Sequence, residues 1–163
     1  MPILRFLSQN HRLKPDSILN EIKVRYRRRK IKNLATTITN SNDAVDILKQ
    51  LYDQDGIHFQ EEFIAIFLNN ANEVVGYQKL SRGGMNATIV DLRILFSLAL
   101  KTLSSAIIIS HNHPSGNLKP SHNDFKLTEK IRDAGLILDV KLLDHIIVSP
   151  TFAYFSFLDE GRL

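Results

Sequence analysis

The sequence predicts an α/β fold, a mixed β-sheet sandwiched by helices. Three observations predict it: short continuous apolar runs rich in β-branched residues, amphipathic segments of helical period, and no strict alternation between the two. The size suits such a layered architecture. A chain of 163 residues holds one ordinary domain with a short appendage, and 44% hydrophobic with 23% charged residues is a globular composition.

In chain order, residues 16–30 read as a helix, capped by Asp16 or Ser17, with Ile18, Ile22 and Tyr26 as its apolar stripe. NLATTIT, at 33–39, is a short strand or lead-in. Ser41 caps a helix reaching about Tyr52, whose buried face is Ala44, Val45, Leu48 and Leu51, and Asp55-Gly56 ends it. EEFIAIFLNN and EVVGYQKL flank an Asn-rich turn and read as a hairpin. Residues 89–103 have helical periodicity. SAIIIS, at 105–110, is the pattern of a central strand buried on both faces. Residues 121–134 read as a helix that Gly135 terminates, and LDHIIVS and FAYFSF complete the strands.

Charge divides the chain. Residues 1–40 carry ten Lys and Arg against Asp16 and Glu21, a balance of +8, whereas residues 41–163 balance at −4. The basic character therefore belongs to an N-terminal helical arm, residues 1–32, and the remainder, 33–163, is the domain. The densest run contains Arg25, Arg27, Arg28, Arg29 and Lys30, a set suited to nucleic-acid phosphates. A short charge run reads equally as a solvated helix end or a partner-facing segment.

Several classes are excluded. Without cysteine there is no disulfide framework, thiolate zinc finger, cysteine nucleophile or Cys-ligated deaminase site. No run approaches the roughly 18 apolar residues that cross a membrane. The start, MPILRFLSQNHRLKP, is too polar for a secretory signal, and the expectation is a cytoplasmic protein.

The informative stretch is HNHPSGNLKPSHND, residues 111–124, which begins where the buried strand ends. Side chains two apart on an extended chain point the same way, so His111 and His113 converge. Pro114 and Gly116 turn the chain, Pro120 directs it into a helix, and Ser121 at the cap puts Asp124 in the first turn. Taken singly, Asp124 reads as the acid of a capping box and each histidine as a loop residue. Taken together they read as ligands. Two His and one Asp leave a tetrahedral ion, one zinc per chain, an open position for a bound water whose pKa falls from about 16 towards about 7. Iron or manganese suits the same set. Ser121 can both cap the helix and hydrogen-bond near the reacting oxygen. Glu61 and Glu62, just before FIAIFL, are the candidates for proton shuttle. Asp144-His145 is a second pair, and a histidine beside a strand start reads as a hydrogen-bonded or packing residue behind the ligands.

His-x-His-Pro, then Ser with seven residues between it and the second His, then Asp three further on, resembles the JAB/MPN metalloprotease superfamily. HNHPSG, PS-x-x-D and DHIIV resemble its RadC-like branch, as do Ser81, Gly83, Asn86, Val90, Arg93 and Ala99. The likeness runs from about Asn33 to Leu158. It implies a JAB/MPN-like (cytidine-deaminase-like) fold and a zinc hydrolase acting on a peptide or isopeptide bond. In that site His111, His113 and Asp124 are ligands, Glu61 is the general acid/base and Ser121 helps at the oxyanion. The resemblance selects Glu61 because the family places Glu two residues before the Phe that opens this strand, here Phe63. Alternation is compatible, with Glu61, Phe63 and Ala65 on one face. Gly84 stands where the family often has Thr, and Asp91-Leu92 where it has His-Pro. Longer members begin with a helix-hairpin-helix DNA-binding region, and none fits before residue 33. The alternatives are a DNA-associated accessory protein of the RadC repair type, binding through the basic arm, and an inactive JAB-type scaffold. A metallo-β-lactamase-like site would want His-x-His-x-Asp-His, which is absent.

Overall fold

Two unbroken apolar runs become the two innermost strands. The computed structural model describes residues 21–23, 25–27, 36–83 and 90–163. Its elements are α1 (Ser41–Leu51), β1 (Glu62–Leu68), β2 (Val74–Arg82), α2 (Leu92–Lys101), β3 (Ala106–Asn112), α3 (His122–Ile137), β4 (Lys141–Val148) and β5 (Tyr154–Ser156). The strands form one sheet in the order β2-β1-β3-β4-β5. It is mixed: β1 is antiparallel to β2 and β3, β3 is parallel to β4, and β5 returns antiparallel along Ile146–Val148. Every residue of β1 and β3 is buried, which is why neither carries a polar/apolar alternation.

Strand alternation divides the core into two layers. Ile64, Ile66, Leu68, Ile108, Ile146 and Val148 meet Ala44, Val45, Leu48 and Leu51 of α1. On the other face, Phe63, Ala65, Phe67, Ile107 and Ile109 meet Leu95, Phe96 and Ala99 of α2 and Ile131 of α3. Each Val, Leu, Ile and Phe among them contributes about 1.5–3 kcal/mol on burial. Helices thus cover both faces, as the patterning led one to expect.

Local chemistry departs from expectation at several points. Asn40, not Ser41, caps α1: its side chain accepts from the Asp43 amide at 3.1 Å, and Asp43 accepts from the Asn40 amide. Ser41 is buried instead and donates to Asp159. Most of the expected helix at 16–30 lies outside the described residues, and the described ones, 21–23 and 25–27, carry no regular secondary structure. Of the expected stripe, Ile22 and Tyr26 are 77% and 61% exposed, and Ile18 lies outside the described residues. Of the expected strand at 33–39, the described part makes a single bridge, Thr37 to Glu73. Among the described residues no helix is long and apolar enough to cross a membrane.

Gly135 does not end α3, which runs two residues further. Asp139 takes the left-handed conformation at φ 55°, a geometry Asp tolerates through its short polar side chain. The glycine answers a different need. The Val140 amide folds back to the Gly135 carbonyl at 2.9 Å, and a Cβ on residue 135 would stand 2.3 Å from the Val140 carbonyl oxygen. Gly135→Ala is therefore expected to destabilise by about 1–3 kcal/mol. Helix propensity alone would give a gain of about 1 kcal/mol. The shift of the urea midpoint decides between the two signs.

Candidate metal centre

The site forms where β3 ends and α3 begins, at the carboxyl end of a strand in a parallel β3-α3-β4 unit. His111 is the penultimate residue of β3, with Cα partnered by Phe63 of β1. Its ring lies parallel to the Phe63 ring within 4°, the centroids 6.2 Å apart. His113 sits just past the strand and donates its amide to Val148 at 2.9 Å. The chain then turns over Pro114 and Ser115, closed by the Gly116 amide on the His113 carbonyl at 2.9 Å. Gly116 is left-handed at φ 77°. Ser121 caps α3, accepting from the Asp124 amide at 3.2 Å, and the Asp124 carboxylate accepts from the Ser121 amide at 2.6 Å.

The turn brings the three expected ligands together. One ligand atom from each of His111, His113 and Asp124 lies within 4.8 Å of the others. The two Nε2 atoms are 3.0 Å apart. Asp124 Oδ1 lies 3.3 Å from His111 Nε2, and Oδ2 lies 4.0 Å from His113 Nε2. The ring protons bear on what this set can hold. His113 Nδ1 contacts the Asn117 carbonyl at 2.6 Å, and a carbonyl only accepts, so Nδ1–H donates and the neutral ring has its lone pair on Nε2. Burial, with a smaller opposing effect of the Asp124 charge, pushes His111 down to about 4, so this ring is neutral near pH 7. Lone pairs crowding one point repel each other unless a cation lies among them. Nitrogen, nitrogen and carboxylate oxygen suit zinc, and the residues present fit that ion.

The two candidate glutamates part company. Glu62 is 6% exposed, turned to the α1 layer, and bonded to Lys79 at 2.9 Å. Glu61 precedes β1, two residues before the partner of His111, and its carbonyl accepts from the Gly83 amide at 2.9 Å. Asn112, between the two histidines and fully buried, holds this approach. It accepts from the Glu62 amide at 2.7 Å and donates to the Gln60 and Ile57 carbonyls at 2.9 Å, so the backbone is pinned on both sides of Glu61. Sequence reasoning passed over Asn112, although alternation along His111-Asn112-His113 points it to the opposite face. Asp144 accepts from the Ser156 hydroxyl and from the His145 and Leu158 amides, away from the cluster. Arg25 and Arg27 are exposed, Arg28, Arg29 and Lys30 lie outside the described residues, as does Asn86, and Arg93 forks onto Asp91.

Burial lowers His145 as well, well below its ordinary range. A depressed imidazole contributes stability that is complete above the unfolded value, 6.5, and is lost as pH falls towards the folded one, about 4 for His111. Asp144, raised by burial, acts in the opposite direction. With two imidazoles against one carboxyl, metal-stripped protein is expected to unfold at lower urea near pH 5 than near pH 7. An unchanged midpoint would mean that both rings accept protons within the fold.

Comparison with known proteins agrees with this arrangement. The RadC-like JAB domain family matches residues 38–162. Among curated relatives, a UPF0758 protein of Flavobacterium johnsoniae is 48% identical over 124 residues, 76% of this chain and 52% of the relative. A UPF0758 protein of Porphyromonas gingivalis is 43% identical over 104 residues, 64% of this chain and 46% of the relative. One from Listeria welshimeri is 40% identical over 129 residues, 76% of this chain and 57% of the relative. The chain spans about half the length of the relatives it matches. On sequence and on the folded His-x-His…Asp cluster alike, the chain belongs to the RadC-like JAB domain family.

Proposed function

We propose that the chain is a metal-dependent hydrolase of amide-type bonds, with one zinc held by His111, His113 and Asp124, Glu61 as general base and Ser121 assisting at the oxyanion. The observation that carries this reading is the convergence of two imidazole nitrogens and a carboxylate at the end of a buried strand. When bound, zinc supplies Lewis acidity, lowering the pKa of water towards about 7 and polarising a carbonyl. His111, His113 and Asp124 would hold the ion, three protein ligands being the number that catalytic zinc sites use. Glu61, approaching from the start of β1 on a backbone held by Asn112 and Gly83, takes a proton from water and returns it to the leaving nitrogen. Ser121 already accepts from the Asp124 amide, so its own hydroxyl proton is available to the developing oxyanion. A peptide or isopeptide carbonyl meets these demands.

Glu61→Gln is expected to retain zinc while turnover of an amide substrate falls by about 10²–10⁴. Asp124→Ala is expected to lose both metal and turnover. Elemental analysis and initial rates separate the two effects. A zinc-loaded Asp124→Ala protein hydrolysing at the wild-type rate would remove the ligand set from the reaction.

A second reading, nucleic-acid contact through residues 1–32, is supported by the +8 balance of residues 1–40. Such contact releases counterions, so DNA affinity should fall steeply with salt and drop when the chain starts near Leu34. Equal affinity with and without the arm would end this reading.

A further inference from the structure

Behind His111 lies a buried chain of polar groups that the proposed reaction does not use. His111 Nδ1 lies 2.9 Å from His145 Nε2. His145 Nδ1 lies 2.6 Å from the Thr128 hydroxyl, which lies 2.7 Å from the Asp124 carbonyl oxygen. His145 is fully buried, Thr128 is 3% exposed, and the His145 ring stacks on Phe157 within 9° at 4.7 Å.

The direction of each bond follows from the far end. A carbonyl has no proton to give, so the single Thr128 hydroxyl proton goes to Asp124. The Thr128 oxygen then acts as acceptor towards His145, whose Nδ1 must carry its proton. His145 Nε2 is left bare and accepts, so His111 must carry its proton on Nδ1. The lone pair of His111 Nε2 is then directed at His113 and Asp124. Both nitrogens of His145 are used up in this pattern, which removes it as a ligand.

We propose that Thr128 and His145 are positioning residues that hold His111 in the Nδ1–H tautomer and so present its Nε2 lone pair to a metal ion. The circuit closes on itself. Asp124 offers its carboxylate to the ion and its main-chain carbonyl to the last bond of the relay, so the first turn of α3 governs two of the three ligands. The consequence for affinity rests on the metal-site reading above, whereas the proton assignment belongs to the metal-free chain and is tested without an ion.

Long-range ¹H–¹⁵N correlation on the zinc-free full chain reads the protonated ring nitrogen directly. His111 and His145 are both expected in the Nδ1–H form, and His111 found as Nε2–H overturns the proposal. Zinc affinity is measured alongside, by competition with a chromophoric chelator. Thr128→Val, nearly isosteric, is expected to weaken zinc by about 10–100-fold, and Thr128→Ser to recover most of it. His145→Leu should weaken zinc at least as much. His145→Gln, whose amide oxygen can accept at the place of Nε2, should weaken it less. Thr128→Val and His145→Leu binding zinc as tightly as wild type would overturn the proposal. Absence of zinc binding with the ring protons as assigned would defeat the metal reading and uphold the relay.

Discussion

One carboxylate ties the molecule's architecture to its chemistry. Asp124 accepts from the Ser121 amide with one oxygen and faces His111 with the other. The first contact closes a capping box, an arrangement that stabilises a helix start by about 0.5–2 kcal/mol on its own. Because the cap fixes where α3 begins, the same bond fixes where the second oxygen points. A capping residue and a ligand are usually competing explanations for an acid in a first helical turn. Here the carboxylate has two oxygens, one on the Ser121 amide and the other towards His111, so the two explanations do not compete.

The histidines reach that carboxylate because β3 is rigid. A strand buried on both faces, with antiparallel and parallel neighbours, leaves its last residues little freedom. Period-two alternation then sorts His111-Asn112-His113 between two tasks. His111 and His113 turn to the α3 side and meet Asp124, while Asn112 turns inward and knits the approach to β1. The polar residues sit where the sheet stops, so the apolar layers are not interrupted to accommodate them. Unpaired buried amides cost about 1–3 kcal/mol each, and Asn112 satisfies three backbone groups with one side chain.

Much of this was legible in the sequence, for identifiable reasons. β1, β3 and the buried face of α1 follow from apolar patterning, because each is decided by contact with one continuous core. The three-residue cluster was legible because its members lie within fourteen residues and their spacing implies strand, turn and helix start. What escaped depends on distant partners. The relay joins residues 17 and 34 positions apart, and no local pattern marks Thr128 as the group that orients His145. Gly135 misled for a similar reason. A glycine near a helix end resembles a left-handed cap, but the space it vacates is taken by the Val140 carbonyl.

The different surroundings of the neighbouring glutamates show how little sequence distance matters once a strand is placed. Glu62 is the first residue of β1 and faces α1, where a charge is tolerable only because Lys79 crosses from β2 to meet it. Glu61 stands one residue earlier, outside the strand, with its carbonyl bound by Gly83 and its neighbours held by Asn112. A one-residue slip of β1 would exchange the two and move Phe63 off His111. The two register shifts between β1 and β2 lie near the strand's ends, while the pairing of β1 with β3 runs unbroken from Phe63 to Leu68. The regular side of β1 is thus the side that faces the histidine strand. A further shift, between Ile107 and Ile108 where β3 meets β4, falls early in β3, so the pairing from Ile108 to Asn112 that carries His111 is regular.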